Sequence, residues 1–322
     1  MFNAISKFYN SKDPALFSLK LLVNIAIIYT ATTYYFRHLH NGPPIYLEGF
    51  TQKEPFVLKR NEGCYDEFYT QIYDDLYTTE KRINWELYRV LKMTMPSTTD
   101  STFLSIGSGT GRGVYELTEA GYDAYGLENC PLLVKESEKQ YPNSTFIQGD
   151  VTQPLLFDQY SFTHILCTDF QIYKHKNKER FFTNCFHWLK PNGYMVVHLV
   201  ERDRFNAISP RRDEEVEWKP FPSLDISPQK TKASCEFDDY TYQQYYHIPA
   251  NVSETNVVIF RETFTDKETR HVRQNEHTLY MENLKDILRI AKSIGFIFHA
   301  KCTMKKYNGE EHQYLYILEK PM

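Results

Sequence analysis

Phe103-Leu104-Ser105-Ile106-Gly107-Ser108-Gly109-Thr110-Gly111-Arg112-Gly113 is the stretch that decides the fold. Thr102–Ile106 reads as a buried strand, and the glycines that follow turn the chain into a helix. Glycine allows the tight turn and lets the backbone approach a ligand with no Cβ in the way. The spacing is GxGxG. The dinucleotide fingerprint GxGxxG requires glycine at 112, where Arg112 stands. A glycine turn alone also serves as a plain strand-to-helix join, so its neighbours carry the argument.

Outward from the loop, strand and helix patterns alternate. Asp123–Leu127 reads as a strand, Leu132–Gln140 as a helix, and Thr145–Gln148 and Phe162–Cys167 as strands. Lys178–Leu189 is helical, with Phe181, Phe182, Cys185, Phe186 and Leu189 on one side, and Tyr194–Val200 is a strand. This alternation predicts an α/β domain with a mainly parallel sheet covered on both faces. Before it, helical spacing runs through residues 62–95, first at Tyr65, Phe68, Tyr69, Ile72 and Leu76, then at Ile83, Leu87, Val90 and Leu91. After it, residues 201–280 break the rhythm. Arg202–Lys232 reads as loop, and Cys235–Ile248, Val257–Phe264 and His271–Tyr280 alternate at strand period as a small antiparallel insert. A helix at Asn283–Ile294, stopped by Gly295, and a hairpin of Phe296–Thr303 with His312–Leu318 through Asn308-Gly309 complete a core of 101–200 and 281–322.

Three candidate ligand sites lie at the ends of adjacent strands. The glycine loop is the first. Gly126-Leu127-Glu128 places a carboxylate where it accepts hydrogen bonds from both ribose hydroxyls, with Asn129 beside it. Gln148-Gly149-Asp150-Val151 places an acid where it meets an adenine amino group. An open α/β sheet binds ligands in the crevice outside such strand ends.

On these residues, with Phe162–Asp169 and Leu189-Lys190-Pro191-Asn192-Gly193, the chain resembles the class I S-adenosylmethionine-dependent methyltransferases from about Tyr65 to the C-terminus. The resemblance implies a Rossmann-like seven-stranded sheet ordered 3-2-1-4-5-7-6 with the last strand antiparallel, and S-adenosylmethionine as cofactor. It implies that Ser105, Gly107, Ser108, Gly109 and Gly111 wrap the methionine part, Glu128 and Asn129 the ribose, and Asp150 with Val151 the adenine. The family usually carries Asp or Glu two residues before the first glycine, to help hold the cofactor's amino group. Here that position is Ser105.

Methyl transfer from a sulfonium asks mainly for alignment and exclusion of water. A base is needed only where the acceptor loses a proton. Thr168, Asp169, Gln171 and Tyr173 follow the fourth core strand, and His198 and Glu201 close the fifth. Asp169 is read as orienting acceptor or cofactor, Thr168 as lining the cofactor site, and His198 as either a base or a core histidine. Tyr65, Tyr69 and Tyr73 either cover the cofactor cation or simply pack their helix. Insertions after the fifth strand commonly shape the acceptor pocket in this superfamily, and here they carry Tyr240, Tyr242, Tyr245, Tyr246 and His247. Arg202, Arg204, Arg211 and Arg212 meet an acidic substrate or form a solvated loop.

Composition narrows the acceptor. The 322 residues carry 37 Lys+Arg against 41 Asp+Glu, a net charge of −4 that gives no basic field for nucleic acid. Thr168-Asp169-Phe170-Gln171 also lacks the Asn/Asp-Pro-Pro-Tyr pattern. No metal-ligand spacing occurs, and six scattered cysteines read as reduced thiols. Aromatic content is 16%, with Phe on core faces and Tyr gathered on the first helix and the insert, flanking the expected pocket.

The N-terminal piece, residues 1–44, stands apart from a methyltransferase domain at 45–322. Leu16–Phe36 is apolar with Lys20 near its start, and Tyr34-Tyr35-Phe36-Arg37 resembles an interfacial belt. This is a candidate single-pass transmembrane anchor; a cleaved signal or a buried helix are the alternatives. The expectation is a membrane-associated enzyme with a cytosolic catalytic domain, acting on a small-molecule or lipid-like acceptor. A catalytically silent scaffold and an NAD-dependent oxidoreductase are the rival readings.

Overall fold

The computed structural model describes residues 52–77, 80–204, 219–220, 232–249, 252–305 and 311–322, together with Asn24, Ile28 and Tyr29. The chain divides into two units, Met1–Leu47 and Glu48–Met322. In the first, the three described residues are helical and exposed. The rest of the candidate anchor at 16–36 lies outside the described residues, among which no helix is long and apolar enough to cross a membrane.

In the second unit, β1 (Phe56–Arg60) leads through a short 3-10 turn to α1 (Glu67–Tyr77) and α2 (Glu80–Thr94). The alternating section follows as β2 (Thr102–Ile106), α3 (Arg112–Glu119), β3 (Asp123–Glu128), α4 (Pro131–Gln140), β4 (Thr145–Gln148), β5 (Phe162–Cys167), α5 (Gln171–Lys174), α6 (Lys178–Trp188) and β6 (Leu189–Val200). Then come β7 (Lys219–Pro220), β8 (Lys232–Glu236), β9 (Tyr240–His247), α7 (Val252–Thr255), β10 (Val257–Asp266) and β11 (Val272–Tyr280). The chain closes with α8 (Leu284–Ile294), β12 (Ile297–Thr303) and β13 (Gln313–Glu319).

The seven-stranded sheet has the order β12-β13-β6-β5-β2-β3-β4. This is the 3-2-1-4-5-7-6 arrangement, and β13 runs antiparallel to both β6 and β12. Its central strands are buried on both faces, as β5 shows with Phe162, His164, Ile165, Leu166 and Cys167 all inside. A second sheet, ordered β1-β11-β10-β9-β8-β7, uses the other strand pattern. Every second residue of β9, β10 and β11 is buried, so one face of this sheet is packed. Val258, Phe260 and Leu279 from that face join Leu104, Ile165 and Val197 of the first sheet in one continuous core.

Two features depart from the sequence reading. Residues 235–248 form two strands, because the chain turns at Phe237-Asp238-Asp239 with the Phe237 N–H bonded to the Tyr240 carbonyl at 2.9 Å. Aspartates favour such turns. The insert also acquires an edge strand from far away in sequence, since β1 pairs in parallel with β11. A lone five-residue segment carries no signal for so distant a partner.

Two buried histidines, His164 and His198, and the half-buried His175 tie the fold to pH. His164 stacks on Phe103 at 4.4 Å between ring centres. Burial pushes His164 and His175 down to about 4, and burial together with the Arg82 charge pushes His198 down to about 3. Below pH 6.5 the unfolded chain therefore binds protons that the folded chain refuses. Stability is full above that value and falls as pH drops toward 4, at about 1.4 kcal/mol per pH unit per histidine at most. Thermal melts at fixed ionic strength should show a markedly lower midpoint at pH 5 than at pH 7.5. Equal midpoints would contradict the assignment.

Candidate active site

The glycine loop joins β2 to α3 in a backbone form that suits glycine. Gly107 and Gly109 have φ of +66° and +58°. The N–H groups of Gly107 and Ser108 bond the Leu127 carbonyl at 2.8 and 3.2 Å, tying the loop to the end of β3. Glu128 then reaches back. One carboxylate oxygen accepts the Gly109 N–H and the other the Cys130 N–H, both at 3.0 Å. Gly111 instead starts α3 and packs against Phe146 and Ser137.

A cleft of about 580 Å³ opens outside the ends of β2, β3 and β4. Gly107, Glu128, Asn129, Asp150 and Val151 line it, as the sequence predicts, and so does Tyr65. Lys174, which the sequence reading passed over, donates to the Tyr65 hydroxyl at 2.9 Å and lies 5.4 Å over its ring.

A second, narrower cleft lies on the other side of the loop, lined by Ser105, Ser108, Gly109 and Thr168. It also contains Arg82, Glu86 and Asp169. Arg82 is 4% exposed, and its guanidinium meets Glu86 at 2.8 Å and Asp169 at 2.7 Å. Burial raises the Asp169 carboxyl, but the Arg82 charge and hydrogen bond outweigh it, so Asp169 is held below the usual carboxylate range. The Gln171 side chain closes on Gly107 so tightly that a Cβ there would fall 2.5 Å from it. The single crevice expected from sequence is thus two clefts that meet at Gly107, on which Gln171 packs.

Against both lies an aromatic chamber lined by Tyr65, Tyr69, Tyr73 and Tyr77 on one side and by Phe170, Tyr246 and Phe260 on another. Asp169 lines this chamber and the second cleft alike. Behind the tyrosines sits Glu262, with no exposed surface. It accepts the Tyr69 hydroxyl at 2.6 Å, the Tyr242 hydroxyl at 2.8 Å, the Tyr77 hydroxyl, and His277 at 3.0 Å. Burial raises its carboxyl, but hydrogen bonds from His277, Tyr69 and Tyr77 outweigh this and keep it ionised.

Several expectations are refined. Tyr69 lines the aromatic chamber beside Tyr65 and Tyr73 and bonds Glu262. Of the two readings of His198, the structure fits the core histidine: it is 1% exposed, lies on none of the three cavities, holds Gln313 at 3.2 Å and is kept neutral. Arg202 is neither a substrate ligand nor solvated. It is 2% exposed and bonds the Met281 carbonyl at 3.0 Å and Asn256 at 3.2 Å. Arg211 and Arg212 lie outside the described residues. Arg82 and Glu86 carried a usable signal, since a helix places residues four apart on one face. Glu262 and His277 are recognisable only once β10 and β11 are paired.

Residues 103–193 match the family model described as "Methyltransferase domain". No curated protein matches the chain in sequence. Among solved structures it is similar to the CcbJ methyltransferase of Streptomyces caelestis, with 13% identity, TM-score 0.58, and coverage of 81% of this chain and 100% of that one. It is similar to the sugar N-methyltransferase KedS8 of a Streptoalloteichus species (16%, TM-score 0.54, 80% and 94%). A third is S-adenosylmethionine-bound CalS10, an amino pentose methyltransferase of Micromonospora echinaspora (14%, TM-score 0.52, 80% and 98%). The residues present fit that cofactor. The loop offers bare backbone at Gly107 and Gly109, and Glu128 stands at a strand end beside a cleft of suitable size.

Proposed function

We propose that this chain, a class I S-adenosylmethionine-dependent methyltransferase by its fold and by its match over residues 103–193, methylates a small molecule that bears an amine. The observation that carries this reading is Asp169, an ionised carboxylate set where the second cleft meets a chamber walled by tyrosine faces. Glu128 and Asp150 bind the nucleoside end. Gly107 and Gly109 let the backbone approach the methionine end. Asp169 orients the acceptor by its amine, and the tyrosine rings attract the cation that forms on it. The chamber walls exclude water. When bound, the cofactor supplies an electrophilic methyl group on a sulfonium, which departs as a neutral thioether. The similarity to sugar N- and amino pentose methyltransferases supports an amine acceptor.

Tethering through residues 16–36 and a cytosolic catalytic domain are also proposed, on sequence grounds. All six cysteines are free, which suits a reducing compartment. The test is incubation of the full chain with methyl-labelled cofactor and fractionated cell extract. Label in an amine-containing small-molecule fraction is expected, and label in protein or RNA would overturn the reading. With that acceptor, Asp169→Asn should lower kcat/KM by about 100-fold through lost orientation. An unchanged rate would remove Asp169 from the site.

A further inference from the structure

The second cleft answers a question raised by the glycine loop. Ser105 stands where the superfamily usually has an acidic residue, and Ser105 lines this cleft. Glu86 lines it too, but from α2 rather than from the strand. We propose that Glu86 supplies, from the helix, the carboxylate that position 105 lacks, and that it holds the ammonium group of the cofactor's methionine part. This rests on the methyltransferase reading above.

Glu86 is 5% exposed, an expensive place for a carboxylate without a cationic partner. Its one described cation is Arg82, four residues earlier on the same helix face and shared with Asp169. Burial raises the Glu86 carboxyl, and one guanidinium shared between two carboxylates only partly offsets this, so the ionised form of Glu86 lacks a full counter-charge. An incoming ammonium supplies it. Glu86 also has room to accept: Arg82 and the Thr168 hydroxyl are its partners, and a carboxylate accepts about four hydrogen bonds. The serine at 105 follows from the same electrostatics. A second acid there would share a small buried cleft with Glu86, and buried like charges repel. The division of labour is then clear. Asp169 reaches the aromatic chamber, whereas Glu86 lines only the cofactor side.

The alternative is that Glu86 merely pins α2 to the sheet through Arg82, and calorimetry on the full chain separates the two. The probes are S-adenosylhomocysteine, which keeps the ammonium group, and methylthioadenosine, which lacks the amino-acid end. Glu86→Gln should weaken S-adenosylhomocysteine by about 10-fold to 100-fold, the loss of a charged hydrogen bond, and leave methylthioadenosine unchanged. Adding Ser105→Asp to that variant should restore much of the loss, whereas Ser105→Asp alone should weaken binding. Equal weakening of both probes, no weakening of either, or no rescue would overturn the proposal. Should Glu86→Gln melt far below the wild type, the same comparison is made with Glu86→Asp, expected to weaken S-adenosylhomocysteine alone. If the wild type binds neither probe, the methyltransferase reading itself fails; if it binds both and the variants do not discriminate, only the role of Glu86 fails.

Discussion

Glu262→Ala is expected to lower the melting midpoint by about 10 °C. The change strands the hydroxyls of Tyr69, Tyr77 and Tyr242 and the His277 ring in a site with no water-exposed surface at its centre. Removing one partner of a buried charged network costs about 3–5 kcal/mol. At roughly 2–4 °C per kcal/mol for a domain of this size, the shift follows. Glu262→Gln should cost less, because an amide oxygen still accepts from some of the donors. Circular dichroism melts of both variants measure this directly, and a midpoint within about 2 °C of wild type for Glu262→Ala would show that the network is not what joins the tyrosine helix to the second sheet. The network also explains the composition. Tyrosine outnumbers phenylalanine, 25 to 22, and the excess is useful where an aromatic wall needs hydroxyl groups at its back.

The second large effect is on ligand affinity. Glu128→Ala should weaken both S-adenosylhomocysteine and methylthioadenosine by about 10-fold to 100-fold, since both carry the ribose whose hydroxyls this carboxylate accepts. It also releases the Gly109 and Cys130 N–H groups that now hold the loop against β3. The contrast with Glu86→Gln is informative, because that change should affect only the probe with an amino-acid end. Calorimetric titration of the two variants with the two probes places each carboxylate at its own end of the cofactor. Unchanged affinity in Glu128→Ala would mean that the ribose lies elsewhere.

Local patterns made the seven-stranded sheet legible in the sequence. Buried runs such as Phe162–Cys167 and the glycine turn at 107–111 are signals within a dozen residues, and β2, β3, β4, β5 and β6 follow from them. The closing hairpin was legible for the same reason. The pairing of β1 with β11 was not, because contacts more than two hundred residues apart leave no periodicity to read. The site divides in the same way. Glu128, Asp150 and Asp169 sit at strand ends, where topology alone predicts ligand contact. Glu86 shares a helix face with Arg82 by its spacing of four, a pattern common on surface helices, and its burial against Thr168 and Arg82 is what sets it apart. His198 stays two-sided in the sequence, as base or core histidine, because nothing local reveals that Arg82 lies against it.

The most direct measurement of the central claim is titration of the full chain with S-adenosylhomocysteine and, separately, with NAD. Saturable binding of S-adenosylhomocysteine at one site per chain is expected, with no binding of NAD, since Arg112 breaks the dinucleotide spacing and Glu128, Asp150 and the second cleft are arranged for a nucleoside with an amino-acid tail. Binding of NAD instead, or of neither ligand, would contradict it.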